Sequence, residues 1–183
     1  MTTKLAFPPV IEEFSFHKLS EEAQGNAYKA WKRHTAYANM YDMQQTLGSF
    51  LNLFPVQLMD MKYLEYDKPF VKLKFIGDLE DMQLTNQALA EHLLIRYDTV
   101  LFDDGIRRIV PLTGYFMDYL TLQPLYDFLD KPDHRNFLQL LEDCAMQWAI
   151  NCAKDYEQFY SRETFEALCF MHNWKFLKTG RNF

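Results

Sequence analysis

The sequence FSFHKLSEEAQGNA, residues 14–27, carries the clearest helix start in the chain. Ser20 is a good N-cap, because its hydroxyl can accept a hydrogen bond from a free backbone amide of the first turn. Glu21 and Glu22 place negative charge at the positive end of the helix dipole. Small and aromatic residues then recur at helical spacing, at Ala23, Ala27, Ala30, Trp31 and His34. We expect this face to bring Trp31 close to a sheet or to another helix.

The chain has 183 residues, of which 49% are hydrophobic and 16% aromatic, with only 6 glycines and 7 prolines. A chain of this length buries roughly two thirds of the surface of its unfolded form, so a real core is expected. The composition predicts a single globular domain over residues 1–183. Within it we expect a mixed α/β part (1–110), a helical part (111–173) and a terminal strand and tail (174–183).

No apolar run approaches the ~20 residues that span a bilayer, and residues 1–4 lack the apolar core of a signal peptide. The three cysteines, Cys144, Cys152 and Cys169, contain no CxxC pair. This usage is typical of buried thiols in a reducing compartment. We therefore predict a soluble intracellular protein with no membrane interaction.

The strongest strand signal is a hairpin of Val56–Tyr66 with Phe70–Ile76, in which Val71, Leu73 and Phe75 alternate with lysines. A second hairpin is predicted over Asp98–Val110, around Asp103-Asp104-Gly105, since Asp-Gly suits the positive φ angles of a tight turn. Between them, Gln83–Tyr97 is predicted to be a helix. Its inward residues would be Ala88, Leu89, Leu93 and either Leu94 or Arg96.

The remaining pattern is helical, over Tyr37–Leu53, Thr113–Leu120, Gln123–Leu129 and the long amphipathic stretch Asp133–Tyr160. Ser161 would cap a further helix that stops at Asn173, before a final strand over Trp174–Lys178. These elements predict an α+β fold. A small antiparallel sheet, built from 56–76, 99–110 and the terminal strands, would be covered by helices, with the long helix as its spine.

The net charge of −6 disfavours direct nucleic-acid binding through phosphates. Its distribution is uneven: residues 77–160 hold fifteen acidic and six basic residues, a net charge of −9, and the rest of the chain carries +3. Such asymmetry indicates either a set of solvated helix faces or a surface for a basic partner.

Aromatic side chains are concentrated between Tyr115 and Phe128, among several aspartates. Core packing and an acidic, aromatic interface both account for this pattern, since tyrosine is favoured at interfaces. If the interface exists, its residues are predicted to be Asp78, Glu80, Asp81, Asp103, Asp104, Tyr119, Tyr126, Asp127 and Asp130.

No catalytic constellation stands out. The five histidines lie in separate segments without metal-ligand spacing, and no nucleophile elbow, phosphate loop or dinucleotide fingerprint occurs. We therefore predict no catalytic residue, no metal and no cofactor. The alternative is a metal-assisted hydrolase whose site is assembled from Asp78, Glu80 and Asp81 with His92 or His134.

The segments 14–24 and 155–165, together with 173–176 and Gly180, resemble the two ends of a family of small, uncharacterised bacteriophage and prophage proteins. Residues 14–24 are similar to that family's aromatic pair followed by ELSEEAKEKA. Residues 155–165, followed by 173–176 and Gly180, resemble its closing YEYLSSDEAIEE, an Asn and a short aromatic strand ending in Gly. The chain departs from the family at Gln24, where the family has lysine, and at Gly77-Asp78, which stands for a longer QGDG.

The resemblance implies a phage origin, hence a place in the host bacterial cytoplasm, and it transfers no catalytic residue. With the acidic region, it leads us to expect a non-enzymatic accessory protein. Such a protein would bind a host protein or nucleoprotein complex with a basic surface, for example a CRISPR-type defence complex, and block it stoichiometrically. An antitoxin-like regulator is a further alternative, and the aromatic excess is compatible with a homodimer.

Overall fold

The computed structural model describes residues 12–64, 68–103, 105–108 and 111–181. It is 60% helical and α+β, as the sequence predicts. The α-helices are α1 (Glu21–His34), α2 (Met40–Leu53), α3 (Leu79–Gln83), α4 (Asn86–Leu101), α5 (Met117–Asp130), α6 (Phe137–Phe159) and α7 (Arg162–Met171). The strands are β1 (Phe14–Ser15), β2 (Val56–Lys62), β3 (Phe70–Phe75), β4 (Phe102–Asp103), β5 (Ile106–Arg107) and β6 (Lys175–Phe176).

The strands form three separate antiparallel pairs, β1–β6, β2–β3 and β4–β5. The expectation of one sheet was therefore wrong for the described residues. Two of the three pairs are only two residues long in each strand, so they close a loop or tie two chain segments without extending a sheet.

The chain forms two compact units. The terminal unit is built from the described parts of Met1–Tyr37 and Glu157–Phe183, and the central unit is Ala38–Tyr156. The prediction of a single domain stays a prediction.

In the terminal unit, β1 pairs with β6 so that Phe14 faces Phe176 in the register. The Ser20 hydroxyl accepts from the Ala23 amide at 3.3 Å, which confirms the predicted N-cap of α1. Ser161 caps α7 in the same way, with the Thr164 amide at 3.1 Å. Asn173 has φ 48°, the left-handed conformation predicted for the end of this helix.

The core of the terminal unit is aromatic. It contains Phe16, Leu19, Ala23, Ala27, Phe165, Cys169 and Phe176. Trp31 packs against the Phe165 ring with 5.2 Å between centroids, so the tryptophan does approach another helix as the helical spacing predicts. Ala30 and His34 are exposed, and this part of the predicted face lies outside the core.

In the central unit, the β2–β3 hairpin pairs Val56 with Phe75 and Lys62 with Phe70. Val71 and Leu73 are buried and Lys72 and Lys74 are exposed, as the alternation predicts. Lys68-Pro69 of the predicted turn is described, whereas Tyr66-Asp67 lies outside the described residues.

Several element boundaries differ from prediction. Helix α4 continues to Leu101, and the described residues of the second hairpin form β4 and β5 around Gly105, whose φ is +78°. The burial of Tyr97 and Leu101 on the inner face of α4 explains the extension, because both side chains anchor the helix to the core. Helix α5 is continuous through Pro124, where two short helices were expected.

Helix α6 is the predicted long helix, and its start is fixed by a reciprocal capping pair. The Gln139 amide donates to Asn136 Oδ1 and the Asn136 amide donates to Gln139 Oε1, both at 2.9 Å. Its buried Trp148 donates its indole N–H to the Met43 carbonyl at 2.9 Å, which ties α6 to α2. Within the described residues, no helix combines the length and the apolar character needed to cross a membrane.

The three cysteines are buried free thiols, as predicted. Burial raises the pKa of all three, to about 11 for Cys169. The protonated thiol is therefore the stable form, and these cysteines are poor nucleophiles.

Asp118 is fully buried in the central unit, although its charge counts toward the acidic region of the sequence. Its carboxylate accepts from the backbone amides of Leu112, Thr113 and Gly114 at 3.0, 2.6 and 3.0 Å. The hydroxyls of Thr113 and Thr46 donate to its other oxygen at 2.8 and 3.0 Å. Asp118 thus holds the loop before α5 onto α2 and is unavailable to a partner.

Candidate interaction surface

The acidic segment at the start of α3 is the first part of the predicted site. Asp78 precedes the helix without a side-chain cap hydrogen bond, and both Asp78 and Glu80 are exposed. Asp81 is partly buried and turns toward α4, where Arg96 Nη1 donates to its Oδ2 at 2.9 Å. The three acidic residues are therefore unequal: two point their charge at solvent, and the third fixes α3 to α4.

His92 also meets Asp81, with 3.7 Å between His92 Nδ1 and Asp81 Oδ1. Its Nε2 is buried without a hydrogen-bond partner among the described residues, and the ring packs edge-on against Phe137 at 5.6 Å. The structure thus brings His92 to the acidic segment, whereas His134 forms no ion pair with the described residues of that segment. Among the described residues, however, no group of three or more His, Cys, Asp or Glu side chains is arranged to hold a metal ion.

The outer face of α4, the helix that Asp81 joins to α3, carries further exposed side chains. Leu89, Leu93 and Tyr97 are buried, and Glu91, Leu94, Ile95 and Asp98 are exposed. These four recur at spacings of three and four, so they share one side of the helix. Ile95 is 86% exposed and Leu94 42%, which corrects the expectation that Leu94 could turn inward.

Two further apolar side chains are exposed at the start of α3. Ile76, which precedes the helix, is 60% exposed, and Leu79, its first residue, is 69% exposed. A cavity of about 640 Å³ is lined there by Phe54, Ile76, Asp78, Asp81 and Arg96, among others. We call the whole area the α3–α4 face. It comprises Ile76, Asp78, Leu79, Glu80, Glu91, Leu94, Ile95 and Asp98.

The predicted acidic residues of the hairpin and α5 are largely matched within the central unit. Asp130 pairs with Arg107, and Arg108 Nη2 lies 3.9 Å from Asp103 Oδ1. Asp127 forms no ion pair with a described residue and accepts from the Gln123 side-chain amide at 2.5 Å, as Glu91 of α4 does from the Gln87 amide at 3.5 Å. Asp104 lies outside the described residues. Asp103 and Asp130 thus offer a partner less uncompensated charge than the α3–α4 face, where Asp78, Glu80, Glu91 and Asp98 form no ion pair with any described residue.

Tyr126 belongs to the core, so its assignment to a binding surface was wrong. Its side chain is fully buried, and its hydroxyl lies 3.2 Å from the Leu101 carbonyl and 3.0 Å from that of Arg108. Burial raises its pKa to about 12. The neighbouring Tyr119 is partly buried and stacks on the Tyr126 ring at 6.2 Å. The core explanation thus holds for Tyr126, and the assignment of Tyr119 to a binding surface stays a prediction.

Sequence reasoning did not identify Glu91, Ile95 and Asp98 as site residues. A signal for them exists, because an isoleucine between two acidic residues at helical spacing occupies the side of α4 opposite Leu89 and Leu93. The helix prediction ended at Tyr97, however, which leaves Asp98 outside it.

No protein-family model, no curated protein and no solved structure matches this chain. The resemblance to small phage proteins therefore stays a prediction, and the functional argument depends on the geometry of the chain itself.

Proposed function

We propose that this protein is a non-catalytic binding protein whose α3–α4 face docks on a basic surface of a protein partner. The observation that carries the proposal is Ile95, a large apolar side chain that is 86% exposed between Glu91 and Asp98. An apolar centre bordered by charge is the usual anatomy of a protein interface.

Charge complementarity identifies the partner's chemistry. The α3–α4 face has four carboxylates without an ion-pair partner among the described residues and the exposed apolar side chains of Ile76, Leu79, Leu94 and Ile95, and Arg96 of α4 is paired with Asp81. A lysine- or arginine-rich surface with an apolar centre complements this pattern, and the opposite charges speed the encounter. The central unit as a whole contains eighteen acidic and ten basic residues, a net charge of −8, which extends the same attraction beyond the contact area.

In its most specific form, the proposal is a phage-encoded inhibitor that blocks a host nucleic-acid-handling complex, such as a CRISPR-type defence complex. Its support is the resemblance of residues 14–24 and 155–165 to small phage proteins, together with the acidity of the central unit. An acidic surface of this kind competes with nucleic acid for a basic channel.

The test is affinity capture from bacterial lysate with the tagged protein at low and moderate salt, followed by reconstitution with the purified partner. The first variant is Ile95→Ser with Glu91→Gln and Asp98→Asn. A matched control, Ile106→Ser with Asp103→Asn, removes an isoleucine that is 73% exposed and the acidic residue paired with it across β4–β5.

We expect the partner to be retained by the control variant and lost by the α3–α4 variant, with binding weakened by added salt. Unchanged unfolding temperatures of both variants show that the fold is intact. Retention by the α3–α4 variant contradicts the proposed interface, and loss by the control alone moves the interface to the β4–β5 hairpin. A captured partner encoded beside this gene supports the antitoxin-like form of binding in place of the inhibitor.

A further inference from the structure

The terminal unit contains an aromatic cavity that the binding function does not use. It has a volume of about 270 Å³ and is lined by Trp31, His34, Phe165, Trp174 and the small residues Ala30 and Gly180, among others. Trp31 is held by stacking on Tyr28 and Phe159, and Trp174 by stacking on His172. The rings that line the cavity are therefore fixed by their neighbours before any ligand arrives.

A cationic groove adjoins this cavity at Ala30. It has a volume of about 730 Å³, and its polar lining is Asn26, Lys29, Arg33, Thr179 and Arg181. Asn26, Lys29, Ala30 and Arg33 recur at spacings of three and four, so they form one side of α1. Among the residues that the structure describes, no acidic side chain lines the groove.

The three cations of the groove form no ion pair with any described residue. Arg162 in the same unit shows the contrast, because it donates to Glu166 at 2.8 Å and to Gln24 at 2.9 Å. Three unpaired cations around one concavity repel each other, and an anion in the groove relieves that repulsion.

The C-terminal turn fixes Arg181 against α1. The Leu177 amide donates to the Arg181 carbonyl and the Gly180 amide to the Leu177 carbonyl, both at 2.8 Å. Gly180 has φ +85°, and a Cβ on it would lie 2.0 Å from the Ala23 carbonyl oxygen. This close approach is available only to glycine, and it brings a cation from the end of the chain beside Lys29 and Arg33.

We propose that the terminal unit binds a nucleoside phosphate, with its ring in the aromatic cavity and its phosphate in the cationic groove. The volume of the cavity lies just below the ~300–1,000 Å³ that is typical of pockets for drug-sized ligands, and this size suits a single ring system. Arginine guanidinium groups bind phosphate oxygens in bidentate geometry, and indole and imidazole rings stack on a base. The aromatic cavity thus suits the base of such a ligand, and the adjoining cationic groove suits its phosphate.

The test is isothermal titration calorimetry of the full chain with adenosine monophosphate, adenosine, inorganic phosphate and a single-stranded oligonucleotide. The variant Arg33→Gln with Arg181→Gln removes two cations of the groove. Its matched control, Lys72→Gln with Lys74→Gln, removes two exposed cations from β3 of the central unit. A second variant, Trp174→Ala, enlarges the aromatic cavity and removes its stacking surface.

We expect adenosine monophosphate to bind at least about tenfold more tightly than adenosine or phosphate alone, since its base and its phosphate each contribute contacts. The arginine variant and Trp174→Ala are expected to weaken it about tenfold, and the lysine control to leave it unchanged. Equal affinity for phosphate and for adenosine monophosphate overturns the proposal, as does full affinity in the arginine variant or no binding at millimolar nucleotide. Much tighter binding of a single-stranded oligonucleotide also overturns it, in favour of a polynucleotide surface. These outcomes are independent of the α3–α4 face, because all the altered residues except the control lie in the terminal unit.

Discussion

The terminal unit carries a net charge of +2 and the central unit −8, and the two also differ in how they satisfy their polar groups. In the terminal unit, α1 and α7 each begin with a serine that caps its own helix. In the central unit, α2, α3, α4 and α5 begin without a side-chain cap, and a buried carboxylate instead joins a loop to α2. Local caps thus start α1 and α7 of the terminal unit, whereas in the central unit a local capping pair starts α6 and the buried Asp118 carboxylate adds a long-range polar contact with α2.

The largest effect is expected from Asp118→Ala in the central unit. The substitution leaves three backbone amides and two hydroxyls without their acceptor, and we expect the free energy of unfolding to fall by about 3 to 5 kcal/mol. Urea unfolding measures the loss, and hydrogen exchange shows whether it is confined to the central unit. Asp118→Asn keeps one acceptor oxygen and is expected to lose less. A loss below about 1 kcal/mol for the alanine variant contradicts the role we give to this carboxylate.

In the terminal unit, two glycine-to-alanine substitutions should change the free energy of unfolding in opposite directions. Gly180→Ala forces a side chain onto the Ala23 carbonyl at a positive φ, and we expect a loss of about 2 to 3 kcal/mol. Gly25→Ala lies within α1 with no atom within 4 Å of the added Cβ, and we expect a gain of about 0.5 to 1 kcal/mol. Thermal unfolding measures both changes. The same sign for both variants would be inconsistent with the described packing of the C-terminal turn.

The helix caps test the contrast between the units directly. Ser20→Ala and Ser161→Ala should each lower the free energy of unfolding by about 1 kcal/mol, because each removes an acceptor from a first-turn amide. Thr85→Ala, at the start of α4, removes no cap hydrogen bond and should change stability by only a few tenths of a kcal/mol. Chemical denaturation of the three variants gives the comparison, and equal losses at all three positions argue against it.

The smallest effect concerns pH and the central unit. The Arg135 guanidinium hydrogen-bonds Asp133 and lowers the pKa of that carboxyl below its ordinary value. A carboxyl with a lower pKa in the folded state contributes stability above its unfolded pKa, and that contribution is lost as the pH falls through the folded value. Because Asp133 is 39% exposed, the effect is at most about 1 kcal/mol. Denaturation of the wild type and Asp133→Asn between pH 7 and pH 3 checks this, and the variant should show the flatter profile.

Features encoded within a few residues were predictable from the sequence. The Ser20 and Ser161 caps, the left-handed Asn173 and the β2–β3 alternation each depend on local backbone chemistry, and each occurs where the pattern indicates. The division of the strands into three pairs was not predictable in this way, since it depends on which distant segments meet.

The candidate site depends even more on distant contacts. In the sequence, nothing distinguishes Asp118 from a surface aspartate. Its burial depends on contacts with Thr46 and with the loop before α5, which only the fold brings to it. Arg107 and Asp130 are far apart in sequence and neutralise each other only in the fold. The net charge along the sequence therefore identified the acidic region. The carboxylates that are available to a binding partner could be identified only from the fold, which shows the carboxylates that already form ion pairs or hydrogen bonds within the chain.

The pairing of β1 with β6 has a consequence for the order of synthesis. Phe14 leaves the ribosome before its partner Phe176, with the whole central unit between them. Domains generally fold as units while the chain emerges, so the central unit can form while the terminal unit still lacks α7 and β6. The aromatic side chains of β1 and α1 then lack their packing partners until α7 and β6 have been translated. A nascent chain that stalls before β6 therefore exposes a hydrophobic surface that chaperones and proteases recognise.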